Sequence, residues 1–316
     1  MKKLISHLLI LSMILGSFVF FIPAGAQSSG TNDYYPELEG ITMYAIGDSY
    51  FGGSSLGKNG TWVNKLGDKY GMDYENYGID GSTVSNYVTT RNPMVDRIDD
   101  MKKGDADIIL LEGGRNDLGQ KVPLGGYESR DTKTFYGAVN FMLDYLLDAY
   151  PNALIVLVTP WRHSGKNSSG HTNLTYANAM RTIAKDRKDP RIVCLYAADT
   201  TLTGVNMDNE EFRTQYCLSP TDPSHLNERG MELVLPKMEK FIAEAYINYL
   251  NSTKIEGTTA ETTTEPVADT SATVTEQQTE TEPAVESGCG ALSSITALTA
   301  IICGACLTLF YKRRTK

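Results

Sequence analysis

Apolar positions along the chain gather into four short runs, with a shorter mixed segment at 73–77, separated by longer stretches in which they recur three and four residues apart. Unbroken apolar runs predict strands buried on both faces, and the wider spacing predicts helices with one apolar side. Strands are expected at about 41–46, 73–77, 107–111, 153–158 and 191–195. Helices are expected at about 62–70, 84–102 with an interruption at Pro93, 132–149, 174–187 and 227–250. Strand and helix therefore alternate five times. That order predicts an α/β fold of three layers, α/β/α, around a five-stranded parallel sheet with right-handed crossovers. A sheet of this kind places its ligand crevice outside the carboxyl ends of the strands. The turns Gly47-Asp48-Ser49, Gly78-Ile79-Asp80-Gly81 and Gly113-Gly114-Arg115-Asn116-Asp117 all fall at that end.

Both chain ends break the pattern. Lys2 and Lys3 precede a mostly apolar stretch from Leu8 to Ile22, and Ala24-Gly25-Ala26 follows. This is the layout of a secretory signal peptide over residues 1–26, with the mature chain starting near Gln27. Residues 27–257 read as the globular domain. Residues 258–286 hold ten threonines and seven acids with no base and no aromatic residue. Such a stretch buries too little apolar surface to offset its ordering entropy, so 258–290 reads as a disordered linker. Residues 291–311 are uncharged and precede Lys312-Arg313-Arg314. Their length fits a transmembrane helix, with 312–316 as a basic cytoplasmic tail. The expected location is the extracellular face of the cell membrane.

Charge narrows the field of partners. Of the net −9, residues 27–257 hold 23 of the 29 basic and 31 of the 38 acidic residues. A body this acidic argues against nucleic acid, which is bound through Lys and Arg clusters. Outside the cytosol Cys194 and Cys217 could pair; the alternative is one buried and one loop thiol.

Ester hydrolysis needs a nucleophile, a base, a group that orients the base, and donors for the oxyanion. Ser49, at the end of the first strand, is the candidate nucleophile. His225 is the candidate base, since an imidazole exchanges protons near neutral pH. Asp222, three residues earlier, could turn back onto its ring, or could simply cap the helix that follows. Glu112 and Arg115 flank the third turn and are expected to form a structural pair under the cleft.

Together these blocks resemble the GDSL-like, or SGNH, family of esterases and lipases over roughly residues 41–250. Gly47-Asp48-Ser49 matches the first block, Asn76-Tyr77-Gly78-Ile79-Asp80-Gly81 the second, Gly114-Arg115-Asn116-Asp117 the third and Asp222-Pro223-Ser224-His225 the fourth. Tyr50 stands where the family's name has leucine. The resemblance implies the flavodoxin-like SGNH hydrolase fold and a Ser49, Asp222, His225 triad. It also implies an oxyanion hole from the N–H groups of Ser49 and Gly81 and the amide of Asn116, with no metal and no cofactor. An exported, tethered member resembles the carbohydrate esterases that remove acetyl groups. Lys121, Tyr127, Arg130, Trp161, Arg162 and His163 suit a sugar, with a place partly in the core as the equal alternative for Trp161. A short-chain or lysophospholipid esterase is the alternative. An inactive surface binding module is the reading from another class, although none of the four blocks is broken.

Overall fold

The computed structural model describes residues 33–261. Its first strand, β1 (Thr42–Ile46), ends in the turn that starts α1 (Ser49–Gly52). Then follow α2 (Trp62–Tyr70), β2 (Asp73–Asn76), β3 (Ile108–Glu112) and α3 (Arg115–Gly119). The remainder comprises α4 (Phe135–Ala149), β4 (Leu154–Val158), α5 (Asn173–Arg187), β5 (Ile192–Leu195), α6 (Thr200–Thr203), α7 (Glu210–Tyr216) and α8 (Glu228–Glu261). All five strands are parallel in the order β2-β1-β3-β4-β5. The chain starts near the middle of the sheet, builds one edge and returns to build the other. That return puts a switch point between β1 and β3, at whose carboxyl ends ligands bind in such sheets.

The strand period of two divides the core. Met43, Ala45, Ile108, Leu110, Leu154 and Val156 face Trp62 and Leu66 of α2 and Val234, Met238 and Ile242 of α8. Tyr44, Ile46, Ile109, Leu111, Ile155 and Leu157 face Phe135, Val139, Met142 and Leu146 of α4 and Met180 and Ile183 of α5. Both faces of β3 and β4 are covered, which is why their sequences are unbroken apolar runs. The exception is Glu112, the last residue of β3, which is also fully buried.

The helix expected over 84–102 does not form. Three single 3-10 turns occupy Thr89–Arg91, Met94–Asp96 and Ile98–Asp100, with Asn92 left-handed at φ 46°. The backbone donors at its start are drawn elsewhere: Val84 and Ser85 N–H bond the Asp117 carboxylate, and Asn86 N–H bonds Thr132 O. Pro93 disfavours the right-handed helical conformation at Asn92, the residue before it. Cys194 and Cys217 are free thiols. Cys217 packs on Met207, Sγ to Sδ 3.5 Å. Burial pushes their thiols up to about 12 and about 11.

Among the described residues no helix is long and apolar enough to cross a membrane. α8 runs past the expected end at 250 to Glu261, so the first residues of the expected linker 258–290 are helical; the rest of that linker, the signal peptide 1–26, the span 291–311 and the tail 312–316 lie outside the described residues.

Candidate active site

β1 hands the chain to Gly47-Asp48-Ser49 with an abrupt turn. Asp48 caps α1, its Oδ1 accepting the Tyr50 N–H at 3.0 Å. Its carbonyl accepts the Phe51 and Gly52 N–H groups. The cap holds Ser49 at the mouth of the sheet, only 7% exposed.

The second chemical group arrives from 176 residues away. Ser49 Oγ lies 2.9 Å from His225 Nε2, and His225 Nδ1 lies 2.9 Å from Asp222 Oδ2. A carboxylate only accepts, so Nδ1 carries the proton and Nε2 is free to accept from the serine hydroxyl. Asp222 Oδ1 takes the backbone N–H groups of Ser224 and His225, at 2.8 and 3.0 Å. Burial alone would raise this carboxyl; those two N–H bonds and the imidazole outweigh it and hold Asp222 below its ordinary value. Capping of α8 falls instead to Asn227, whose Oδ1 accepts the Gly230 N–H. Asp222 is thereby left to the histidine.

The remaining two blocks meet beside Ser49. Gly81 has φ +77°, a left-handed conformation that favours glycine. Among the described residues, neither the Ser49 nor the Gly81 backbone N–H donates to a protein acceptor. Asn116 Nδ2 donates one hydrogen to Asp48 Oδ2 at 2.9 Å, and its second hydrogen remains available. Ser49, His225 and Asp222 are therefore brought together, Asn116 reaches the same turn through Asp48, and the second block is tied to it by the Ile79 N–H on Gly47 O. What they can do chemically is deprotonate a hydroxyl and collect negative charge on an oxygen.

Three further residues build the site without having been singled out as its parts. Arg97, inside the segment expected to be helical, donates to Gly47 O, Tyr77 O and Ser82 Oγ, and so ties the first block to the second. Asp48 orients Asn116. Ser224 accepts from Arg115 Nε at 2.8 Å, linking the third block to the fourth. The expected Glu112–Arg115 pair is absent: Glu112 Oε2 instead accepts the Asp48 N–H at 2.9 Å. Only the acid at the end of an apolar run marked Glu112 in the sequence.

A small cavity adjoins the nucleophile, about 10 Å³, lined by Ser49, Tyr50, Gly53, Trp161, His225, Leu226 and Met231. Two of these residues, Tyr50 and Trp161, stack on each other, centroids 5.3 Å apart and planes 21° apart. Trp161 is thus a buried wall and not an exposed platform for a sugar. Arg162 and His163 turn to Asp208. Among the described residues no group of His, Cys, Asp and Glu could hold a metal ion.

The family model of the GDSL-like lipase/acylhydrolase family matches residues 45–233. A search of curated proteins returns no match. One solved structure is 28% identical with a TM-score of 0.56, covering 64% of this chain and 96% of its own. A protein from Lactobacillus plantarum is 24% identical, TM-score 0.56, covering 65% and 98%. A chain from Chitinophaga pinensis described as a possible lipase is 21% identical, TM-score 0.50, covering 65% and 98%. The last two speak to the fold.

Proposed function

The chain belongs to the GDSL-like lipase/acylhydrolase family and hydrolyses carboxylic esters; from that premise we propose that it removes short acyl groups, acetyl first, from carbohydrate through an acyl-serine intermediate. The observation behind the acyl size is the cavity at Ser49. The cavity is narrow and lined by the stacked Tyr50 and Trp161 rings, which suits a short acyl group better than a long one. A longer chain would have to displace the Tyr50–Trp161 stack. Against a long-chain lipid stands the surface: the large apolar side chains exposed among the described residues are Tyr34, Tyr87, Tyr127 and Phe141. None of these is aliphatic. A polymer rich in hydroxyls suits such a surface better than acyl chains do.

In the proposed mechanism His225 Nε2 takes the Ser49 proton while Oγ attacks the ester carbonyl carbon. The carbonyl π pair moves onto oxygen, where the N–H groups of Ser49 and Gly81 and the Asn116 amide meet it. Asp222 stabilises the imidazolium. Collapse expels the alkoxide, which receives the proton held on Nε2. Water, deprotonated by the same nitrogen, then attacks the acyl-serine, and acetate leaves as Ser49 recovers its proton.

The test uses the full chain and its Ser49→Ala variant on p-nitrophenyl acetate, butyrate and octanoate, with acetate release from acetylated xylan alongside. Acetate preference and polymer deacetylation that vanish in the variant are expected. Preference for octanoate would transfer the substrate to lipids, and Ser49-independent turnover would remove the mechanism. Export and tethering belong to the same reading, on the strength of Lys2, Lys3, the 8–22 stretch and the 291–311 segment. Digestion of the domain by protease added to intact cells tests that placement.

A further inference from the structure

Among the described residues the Gly81 N–H has no protein acceptor, so no bond of its own holds it in place. Ile79 O accepts the Ser82 N–H at 3.1 Å and Gly81 has φ +77°, which makes residues 79–82 a type II turn. The Gly81 N–H belongs to the central peptide of that turn, which the turn's own hydrogen bond does not engage. Its position is set by what grips the turn on either side. Before Gly81, Gly78 packs against the end of α1, where a Cβ would come within 2.5 Å of Gly52 N. The Ile79 N–H also reaches Gly47 O, at 3.1 Å. After Gly81, the link back to the nucleophile turn is Arg97.

Arg97 is half-buried and sets its donors on neutral oxygens. Nη1 donates to Tyr77 O at 2.6 Å, and Nη2 to Gly47 O at 3.0 Å and Ser82 Oγ at 3.1 Å. Nε donates to Asn92 O at 3.2 Å, within its own segment. Tyr77 and Ser82 bracket the turn, and Gly47 opens the block that carries Ser49. Ser82 Oγ in turn donates to Asn92 O at 2.6 Å, so one carbonyl gathers both side chains. All of these acceptors are neutral, so the arrangement serves geometry and not charge pairing. A planar guanidinium fixes the directions of its bonds together, which the single ammonium of a lysine cannot do.

We propose that Arg97 is a positioning residue for the oxyanion hole: it joins Gly47 O to both sides of the 79–82 turn and so holds the Gly81 N–H in place beside Ser49. The inference rests on the reading of Ser49 and Gly81 as oxyanion donors. Such donors act only if they meet the oxygen as it becomes charged, and a misplacement of about 1 Å can cost about 100-fold in rate. Without the guanidinium the Ile79 N–H still reaches Gly47 O, so the turn stays close while its far side is released. Substrate binding before the attack does not use these donors fully. The effect therefore falls on kcat.

The test uses the full chain with Arg97→Ala, Arg97→Lys and Ser49→Ala. The substrates are p-nitrophenyl acetate and its thionoester, in which sulfur replaces the carbonyl oxygen. Sulfur is larger and a weaker acceptor, so well-placed oxyanion donors discriminate against it. The parent should favour the oxygen ester by about tenfold or more in kcat/KM. Arg97→Ala should lower kcat on the oxygen ester by about 10–100-fold, keep KM within about threefold, and reduce that preference by about threefold or more. Arg97→Lys, which keeps the charge but not the fork, should lose about 3–30-fold in kcat with a reduced preference. Should alanine fail to fold, judged by circular dichroism, lysine alone decides. A folded variant with kcat within about threefold of the parent, a loss carried by KM, or a loss of kcat at an unchanged oxygen-to-sulfur preference would each overturn the proposal. A parent lacking the preference would place the fault in the oxyanion reading, and turnover surviving in Ser49→Ala would place it in the nucleophile.

Discussion

Two groups of carboxyls serve the same serine from opposite conditions. Asp222 stands in an irregular turn after α7, part-exposed, and accepts three N–H bonds from the two residues it supports. Asp48, Glu112 and Asp117 lie beneath the serine, wholly buried. Donors and the imidazole outweigh burial at Asp222, and its carboxyl sits below the ordinary value. Desolvation wins underneath, where all three are raised, Asp117 to about 6 even though it accepts the Val84 and Ser85 N–H groups. The same side-chain chemistry thus yields a lowered carboxyl in the turn and raised carboxyls in the floor. Balance between desolvation and donors, and not residue type, separates them.

The zero of activity against which both regions are measured is Ser49→Ala. It should lower kcat on p-nitrophenyl acetate by roughly 10⁴-fold or more, with the melting temperature nearly unchanged. Retained turnover in the purified variant would end the comparison. Next comes the turn: Asp222→Asn should lower kcat by about 10³-fold or more, since an amide can offer its NH₂ to the ring and permit the wrong tautomer. A loss below tenfold would mean that the carboxylate does not set the tautomer. Asn116→Ala probes the floor and should reduce kcat by about 10²–10³-fold, about 3 kcal/mol, with KM little moved.

Stability against pH sharpens the contrast, because the two regions have opposite signs. Asp222 is depressed, so its contribution is present above the ordinary carboxyl pKa and is lost as pH falls through its folded value. Asp117 is raised, so its contribution is complete below the ordinary value and is lost as pH rises through about 6. Two units correspond to about 3 kcal/mol, and Glu112 acts in the same direction. Urea unfolding between pH 4 and 7 should show stability declining less steeply in Asp117→Asn than in the parent. Equal slopes would contradict the burial argument. The smallest effect is one of selectivity: Tyr50→Leu opens the wall over the cavity and should raise the butyrate-to-acetate ratio by several-fold. One additional methylene in an apolar pocket is worth about 1–3 kcal/mol, and an unchanged ratio would show that this cavity does not hold the acyl group.

The five strands, the two-faced core and the four blocks were legible in the sequence because each rests on a local rule. Buried strands must be apolar on both sides, and turns at their ends need Gly, Asp or Asn. Ser49, Asp222, His225, Gly81 and Asn116 could be named from such turns and from the resemblance they support. The helix expected over 84–102 shows where local rules lose. Its apolar spacing was adequate, but Asp117, some thirty residues away, captures the N–H groups of Val84 and Ser85.

Trp161 shows the same limit in another form. An aromatic beside Arg162 and His163 reads equally as a sugar platform or as part of the core, and only its stacking on Tyr50 decides for a buried wall. Arg97 appeared as one base in a polar stretch, and only the folded chain brings Gly47 O, Tyr77 O and Ser82 Oγ within its reach.

By itself, then, the sequence determined which residues could react and at which end of the sheet they would stand, since both follow from residue chemistry and hydrophobic period. Tertiary structure alone decided which carboxyls are lowered, which are raised and which side chains line the cavity. Those outcomes depend on the removal of water and on contacts such as Asp48 with Glu112 and Asn116, 64 and 68 residues apart in the chain, which no local pattern encodes.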